Sequence, residues 1–156
     1  MREIVIAPAT RADLDGIHRI ECESFPSPWR REFFDNELVT EWRFNRVAKR
    51  GRAIVGYLFS MWFFDEMHIN KIAVTGAERR KGIADALMAD CFTFARQQSI
   101  RTISLEVRQS NQGAQNFYRH LGFESAYIRP RYYPDGENAV VMTKEVERDQ
   151  SRQRTT

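Results

Sequence analysis

The feature that most constrains the fold is a series of three strand-like runs in the middle of the chain. They are Arg43–Lys49, Ala53–Phe63 and His68–Val74, and short polar turns separate them. Runs of this length with such short connections predict an antiparallel meander. We therefore expect the chain to fold around a β-sheet.

Helical patterns lie on both sides of this meander. Thr10, with an acid three residues later at Asp13, has the form of a capping box and predicts a helix over about Ala12–Ser24. Ser27 and Pro28 are the residue types of an N-cap and a first helical position, which predicts a second helix. The predicted order of elements is β-α-α-β-β-β-α-β-α-β-β. Its other helices are one of about four turns from Ile83 and one at Ser110–His120. Its other strands lie at Arg2–Ala7, Ile100–Val107, Phe123–Ile128 and Asn138–Lys144.

Composition narrows the class of protein. A length of 156 residues predicts one domain, and 24 basic against 21 acidic residues give a net charge of +3, too small for a nucleic-acid surface. No run approaches the roughly 20 apolar residues of a membrane span, and the N-terminus does not resemble a signal peptide. Two distant cysteines, Cys22 and Cys91, predict neither a disulfide framework nor a metal site. We expect a cytoplasmic protein, a monomer or weak homodimer, with a mobile polar tail at 145–156.

A cluster of basic residues stands between a predicted strand and a predicted helix. Arg79, Arg80 and Lys81 precede Gly82, and Ala84 follows. A helix N-terminus attracts phosphate through its unpaired N–H groups and dipole, and glycine lets a ligand approach the backbone. The spacing is neither that of a P-loop nor that of a dinucleotide-binding motif. From this segment alone, a phosphate site and an ordinary solvated basic turn both remain open.

Glu106 is an acid inside an otherwise apolar strand. If that strand is central, burial would raise the pKa of the carboxyl and make it a usable base near neutral pH. Alternatively, Glu106 faces solvent or pairs with Arg101 or Arg108.

Tyr118 lies near the end of the next predicted helix, in the run Asn116–Phe123. This tyrosine is a candidate for a chemical role. An ordinary core aromatic with a hydrated hydroxyl would fit the same pattern.

In combination, these segments resemble a known family. The pattern V-x-x-x-x-R-R-x-G-I-A, followed by L-E-V-R-x-S-N-x-x-A-x-x-F-Y-x-x-L-G-F, lies between Ile72 and Phe123 and is similar to the GNAT acetyltransferase superfamily. L-E-V-R and R-x-R-Y-Y-P narrow the resemblance to protein N-terminal acetyltransferases of the ribosomal-protein-alanine (RimI) type. The resemblance implies one α/β (α+β) GNAT domain at 1–144, with a mixed, mostly antiparallel sheet, helices on both faces and a splayed parallel strand pair at the cofactor site.

The resemblance implies acetyl-CoA as the cofactor and places it along this motif. Backbone groups of Ile72, Ala73 and Val74 would pair with the pantetheine arm, and the amide near Val74 would steady the thioester oxygen. Asn111 would bond the arm, and Tyr118 would lie near the sulfur. The pyrophosphate would lie on the N–H groups of Arg79, Arg80, Lys81, Gly82, Ile83 and Ala84.

The resemblance also implies the reaction. Glu106 would be the general base that deprotonates an amine, directly or through a water, and Tyr118 the general acid that protonates the leaving thiolate. No metal and no cysteine nucleophile is expected. The acceptor would be a protein N-terminus, plausible candidates being ribosomal proteins that begin with Ala. Its binding residues would be Phe25, Pro28, Trp29, Tyr132 and Tyr133.

Three residues depart from the family pattern: Lys71 replaces Asn, Asn138 replaces Asp, and Gly113 replaces Ala. Lys71 and Asn138 leave the identity of the acceptor peptide open. The alternatives are an acetyltransferase for Lys side chains or small amines and a non-catalytic module that binds acyl-CoA.

Overall fold

The computed structural model describes residues 3–147, which contain seven strands and four α-helices. The strands follow the hydrogen-bonded order β1-β2-β3-β4-β5-β7-β6. The chain divides into two compact units, the first formed by residues up to Trp62 and by Ile69–Phe94, the second by Phe63–His68 and the residues from Ala95 onward. The elements are β1 (Ile4–Pro8), α1 (Leu14–Ser24), α2 (Arg31–Val39), β2 (Arg43–Arg50), β3 (Ala53–Phe63), β4 (Glu66–Val74), α3 (Ile83–Gln97), β5 (Thr102–Arg108), α4 (Gln112–His120), β6 (Glu124–Arg129) and β7 (Ala139–Glu145).

The first unit contains the antiparallel pair of β2 and β3 that the sequence predicted, with β1 added at its edge. β1 pairs with β2, and β2 pairs with β3, both antiparallel. Helix α1 buries residues at helical spacing against this sheet because its apolar side chains recur every three residues. The resulting core contains Leu14, Ile17 and Ile20 of α1, Phe34 of α2, and Val47, Tyr57 and Phe59 of the sheet.

Adjacent residues of β3 show that this sheet is covered on both faces. Tyr57 belongs to the core under α1 and α2. A Cβ added to Gly56 would lie 3.3 Å from Ile83 and 3.4 Å from Leu87, so α3 packs closely over that position. Since successive side chains of a strand point to opposite faces, the helices lie on both sides, as predicted.

The second unit contains the parallel strand pair. Glu66–His68 of β4 pair in parallel with Thr102–Ser104 of β5, and β7 pairs antiparallel with both β5 and β6. In β5, Ile103, Leu105 and Val107 are buried, whereas the alternating residues Ser104, Glu106 and Arg108 are half-buried on the opposite face. This alternation brings Glu106 out of the apolar layer.

The predicted fold class is therefore confirmed. Several element boundaries differ from the predicted ones, such as the start of α4 at Gln112 instead of Ser110, and two of the differences follow from hydrogen bonds. The second helix begins at Arg31 and not at Ser27–Pro28, because Trp29 donates its backbone N–H to Glu21 and Arg30 is extended, with ψ 151°. β5 begins at Thr102 and not at Ile100, because the Ile100 N–H donates to the Ala95 carbonyl at the end of α3.

The predicted domain boundary at 144 and the tail that follows it remain predictions. β7 extends to Glu145, and the Val146 N–H donates to the Arg101 carbonyl at 2.8 Å. Residues 148–156 lie outside the described part of the chain. Within residues 3–147, no helix is long and apolar enough to cross a membrane.

Candidate active site

The basic turn of the first unit has the backbone of an anion-binding helix start. Gly82 has φ +80°, in the left-handed region, and a Cβ placed there would meet nothing within 4 Å. The Ala86 N–H donates to the Gly82 carbonyl at 3.0 Å, so Gly82 stands at the start of α3. The next N–H groups, those of Ile83 and Ala84, have no acceptor within the helix and form the positive end of its dipole. Gly82 thus leaves open space beside unpaired donors, which fits a pyrophosphate.

Side chains fix this turn from two directions. Arg79 Nε donates to the Val74 carbonyl at 3.1 Å, which ties the turn to the end of β4. Glu23 of α1 accepts from Thr75 Oγ1 at 2.7 Å and from the Gly76 N–H at 3.3 Å. The exposed residues Arg79, Arg80 and Lys81 surround the turn with positive charge.

Glu78 is the acid within this basic turn. Arg50 donates to its carboxylate at 2.8 Å, and Lys81 Nζ lies 3.9 Å away. The Arg50 hydrogen bond, more than any other contact, lowers the pKa of Glu78. Glu78 therefore stays ionised. Its negative charge offsets the positive charge of Arg50 more directly than that of Lys81.

Glu106 of the second unit contacts two basic side chains. His68 Nε2 lies 2.5 Å from Oε2, and Arg129 Nη1 lies 3.3 Å from Oε1. The carboxylate side chain is 11% exposed. The sequence left open a pairing of Glu106 with Arg101 or Arg108. In the structure, Arg108 binds two other carboxylates instead, those of Asp135 and Glu137. Glu106 is thus a half-buried carboxylate with an imidazole in direct contact.

Tyr118 is buried on α4 in the same unit. Burial, with a smaller contribution from Tyr133, raises its pKa well above the usual value, so the hydroxyl keeps its proton throughout the physiological range. The ring packs edge-on against Phe123 at 5.7 Å. Asn111 is the N-cap of α4, where its Oδ1 accepts the Ala114 N–H at 3.0 Å.

The segment Pro130–Asn138 connects β6 to β7 and carries Tyr132 and Tyr133; we call it the β6–β7 loop. Arg108 Nη1 binds Asp135 at 2.8 Å and Glu137 at 2.9 Å, and its guanidinium lies 4.2 Å from the centre of the Tyr133 ring. Burial, then the neighbouring Tyr132, raises the pKa of Tyr133 to about 12. Arg108 therefore fixes the loop to β5, two residues after Glu106.

The segment Phe25–Arg30 connects α1 to α2 in the first unit, and we call it the acceptor loop. Phe25 and Trp29 are half-buried, and Pro28 is exposed. The Trp29 ring packs against Phe33 at 5.1 Å and Phe34 at 5.3 Å. Trp29 is thus held by ring packing, while Pro28 faces solvent.

The sequence singled out Glu106 and Tyr118 but not the residues that hold Glu106 and the two loops. His68, Arg129, Arg108 and Glu21 were missed. The alternation of β4, which half-buries His68 between the buried Met67 and Ile69, is the one signal that could have indicated a functional histidine. Among residues 3–147, no group of three or more His, Cys, Asp or Glu could hold a metal ion.

Comparison with known proteins agrees with this geometry. The profile of the Acetyltransferase (GNAT) family matches residues 14–123. The N-alpha-acetyltransferase of Sulfurisphaera tokodaii is 31% identical over 154 residues, covering 90% of this chain and 92% of that protein. The ribosomal protein bS18-alanine N-acetyltransferase of Escherichia coli (strain K12) is 29% identical over 140 residues, with 88% and 94% covered.

Solved structures give the same result. The crystal structure of the ribosomal-protein-S18-alanine N-acetyltransferase from Escherichia coli matches with a TM-score of 0.87 and 28% identity, over 94% of this chain and 96% of that one. The acetyl donor of the family is acetyl-CoA, and the Gly82 turn fits its pyrophosphate. From its sequence profile, its fold and its relatives, the chain belongs to the GNAT family of acetyltransferases and is an acetyl-CoA-dependent N-acetyltransferase.

Proposed function

We propose that this protein acetylates the α-amino group at the N-terminus of a protein. The observation that carries the proposal is the half-buried Glu106 carboxylate in direct contact with His68, in the unit that also holds the buried Tyr118 and the β6–β7 loop. A carboxylate in contact with an imidazole can accept a proton from an amine and pass it on. The relatives named as N-terminal acetyltransferases support the same acceptor class.

The pKa of the acceptor favours an α-amino group. Such a group has a pKa of roughly 8, against about 10.4 for a lysine side chain, so a carboxylate base deprotonates it more readily. The acceptor enters as an ammonium, loses one proton before attack and a second as the amide forms. Glu106 takes these protons from nitrogen, directly or through a water; one is released to solvent, and the other balances the proton that the sulfur receives. With Glu106 ionised, only the imidazole can donate in their contact, which places a proton on His68 Nε2.

Arg129 and His68 have complementary effects on Glu106. Arg129 contacts Oε1, while His68 contacts Oε2. Together they hold the carboxylate in one orientation, which matters because direct transfer depends strongly on the position of the reacting groups.

Catalysis by proximity needs no covalent enzyme intermediate. Burial raises the pKa of the Cys91 thiol to about 12, which makes this cysteine a poor nucleophile at neutral pH.

Acetyl-CoA, when bound, supplies the acetyl group as a thioester. The carbon–nitrogen bond forms as the carbon–sulfur bond breaks, and the sulfur needs one proton. We assign that proton to Tyr118 Oη, a buried hydroxyl in the same unit as Glu106 that carries its proton at neutral pH. The backbone of Ile72, Ala73 and Val74 is assigned to the pantetheine arm, and the N–H near Val74 to the thioester oxygen.

The remaining cofactor and acceptor contacts are proposals of the same kind. The turn Arg79–Ala84 would hold the pyrophosphate, and Asn111 would bond the arm with the part of its side chain that does not cap α4. Phe25, Pro28 and Trp29 of the acceptor loop, and Tyr132 and Tyr133 of the β6–β7 loop, would enclose the first residues of the peptide.

A ribosomal protein beginning with Ala is the acceptor that we propose, because relatives of this chain carry that name. A cytoplasmic location fits such an acceptor and remains a prediction, as does a monomeric or weakly dimeric state.

The test offers two peptides of the same sequence to the purified protein with acetyl-CoA. One has a free N-terminal Ala and no lysine; the other is blocked at the α-amino group and contains a lysine. We expect thiol release and a mass increase of one acetyl group only with the first. Turnover of the blocked peptide alone would instead assign the enzyme to lysine side chains, and turnover of a polyamine alone to small amines.

A further inference from the structure

Glu21 of α1 is a fully buried carboxylate that the proposed reaction does not use. The Tyr57 O–H donates to Oε1, and the Trp29 backbone N–H donates to Oε2 at 2.9 Å. Lys71 Nζ lies 3.1 Å from the same Oε2. We call Glu21, Tyr57 and Lys71 the Glu21 cluster. A carboxylate with no exposure would be strongly destabilising without such partners, so all three donors matter.

Lys71 balances the charge of the cluster and also contacts the acceptor loop. Its ammonium lies 3.8 Å from the centre of the Phe25 ring and 5.1 Å from that of the Trp29 ring. The side chain is 15% exposed. A partly desolvated ammonium over aromatic faces is attracted by them. Lys71 therefore joins the buried carboxylate to the two rings that we assign to the acceptor.

Both ends of the acceptor loop are bonded to one residue. The Phe25 N–H donates to the Glu21 carbonyl at 3.1 Å, and the Trp29 N–H donates to the Glu21 carboxylate. The residues between them include Pro26 and Pro28, which stiffen the segment. The first of these two hydrogen bonds is the last backbone bond of α1, whereas the second depends on the Glu21 side chain, which thus determines where the loop returns.

From these contacts we propose that Glu21 and Lys71 are positioning residues for the acceptor: they hold the rings of Phe25 and Trp29 in place and thereby set how well the acceptor peptide binds. This inference rests on the proposed function for the identity of the acceptor. Because Lys71 occupies a position where the family resemblance predicts Asn, the ring arrangement and the acceptor preference of this chain would differ from those of relatives with Asn there.

The experiment combines kinetics with hydrogen exchange. Glu21→Gln and Lys71→Met each remove one charge and keep the approximate shape of the side chain. We expect each to raise the KM of the acceptor peptide about fivefold or more, with the KM of acetyl-CoA and kcat changed less than about twofold. In the same variants, the amide of Trp29 should exchange faster, because its acceptor is weakened or displaced.

Coupling and rescue distinguish a positioning role from a loss of packing. The double variant Glu21→Gln/Lys71→Met leaves no unpaired charge, so its acceptor KM should rise by less than the product of the single effects. Lys71→Arg keeps the cation and should restore most of the affinity for the acceptor. Tyr57→Phe removes one hydroxyl and serves as the milder variant if a charge variant fails to fold.

Lys49→Met is the matched control. Lys49 Nζ pairs with the buried Asp13 at 3.2 Å in the same unit and does not belong to the acceptor loop. Faster exchange at Trp29 in this control as well would overturn the proposal, as would unchanged exchange and an unchanged acceptor KM in the folded Glu21 and Lys71 variants. If the wild type acetylates no free N-terminus, the proposed function fails, and the exchange at Trp29 decides by itself whether the Glu21 cluster holds the loop.

Discussion

His68 Nε2 lies 2.5 Å from Glu106 Oε2, between the first residues of β4 and the middle of β5. The two strands run parallel and pair from Glu66 to His68, so the contact follows from strand register and not from a flexible loop. Residues on paired strands keep their relative position, which gives the base a fixed orientation. This contact is the basis of the first two predictions.

Replacing the base should abolish most of the turnover. We expect Glu106→Gln to lower kcat about tenfold or more, because the amide cannot accept the proton from the amine. Binding of acetyl-CoA, measured by calorimetry, should stay within about twofold of the wild type. Glu124→Gln, which changes an exposed carboxylate on β6, is the control. Full activity in Glu106→Gln would remove this residue from the mechanism and favour a different base.

His68 should act through Glu106. We expect His68→Gln to lower kcat by less than Glu106→Gln does, and the double variant to be no slower than Glu106→Gln alone, because residues that act as one unit are not additive. Steady-state rates of the three variants decide this. His120→Gln, at the exposed end of α4, should leave kcat unchanged. Additive losses would mean that His68 has a separate role.

The hydroxyl of Tyr118, and not its ring, should contribute to turnover. Tyr118→Phe keeps the packing against Phe123, so we expect a similar Tm but a kcat about tenfold lower. Burial raises the pKa of Tyr118 above its usual value of 10.0. Loss of this proton should therefore not lower wild-type activity as the pH rises towards 10.0. Tyr127→Phe, on the exposed β6, is the control. An unchanged kcat in Tyr118→Phe would assign the proton to a solvent molecule.

Gly82→Ala should weaken acetyl-CoA binding. The left-handed conformation costs a residue with a Cβ about 1–2 kcal/mol, and the methyl group would occupy the open side of the turn. We expect the KM of acetyl-CoA to rise about fivefold or more and the acceptor KM to change little. Gly76→Ala is a matched control, since Gly76 also faces open space but lacks the left-handed φ. Equal effects at both positions would point to general loosening of the turn.

The β6–β7 loop should make the protein sensitive to acid. Hydrogen bonds from Ser110, then from Arg108, lower the pKa of Glu137 from 4.5 to about 2. A lowered pKa means that this stabilisation is complete above the ordinary value and is lost as the pH falls from about 4.5 towards 2. Thermal unfolding at a series of pH values should therefore show a smaller loss of Tm over this range for Glu137→Gln than for the wild type. Parallel curves would contradict the prediction.

Local patterns in the sequence predicted the fold and the turn that precedes α3. The sequence predicted a strand that contains Glu106, and the basic residues before Gly82 preceded the predicted start of α3, because both depend on neighbours only a few residues away. The Thr10–Asp13 capping box also formed, with the Thr10 N–H donating to Asp13 at 2.9 Å. The start of α2 was wrong, because a distant carboxylate, Glu21, binds the backbone of Trp29.

The sequence by itself therefore determined the family, the order of elements and the two residues proposed for proton transfer. Only the tertiary structure decided what surrounds them: His68 beside Glu106, Arg108 under the β6–β7 loop and Lys71 against Glu21. The first two contacts join residues 38 and 29 positions apart. Periodicity and capping describe interactions within one element, whereas a buried charge finds its partner through strand pairing and packing, which no local pattern encodes.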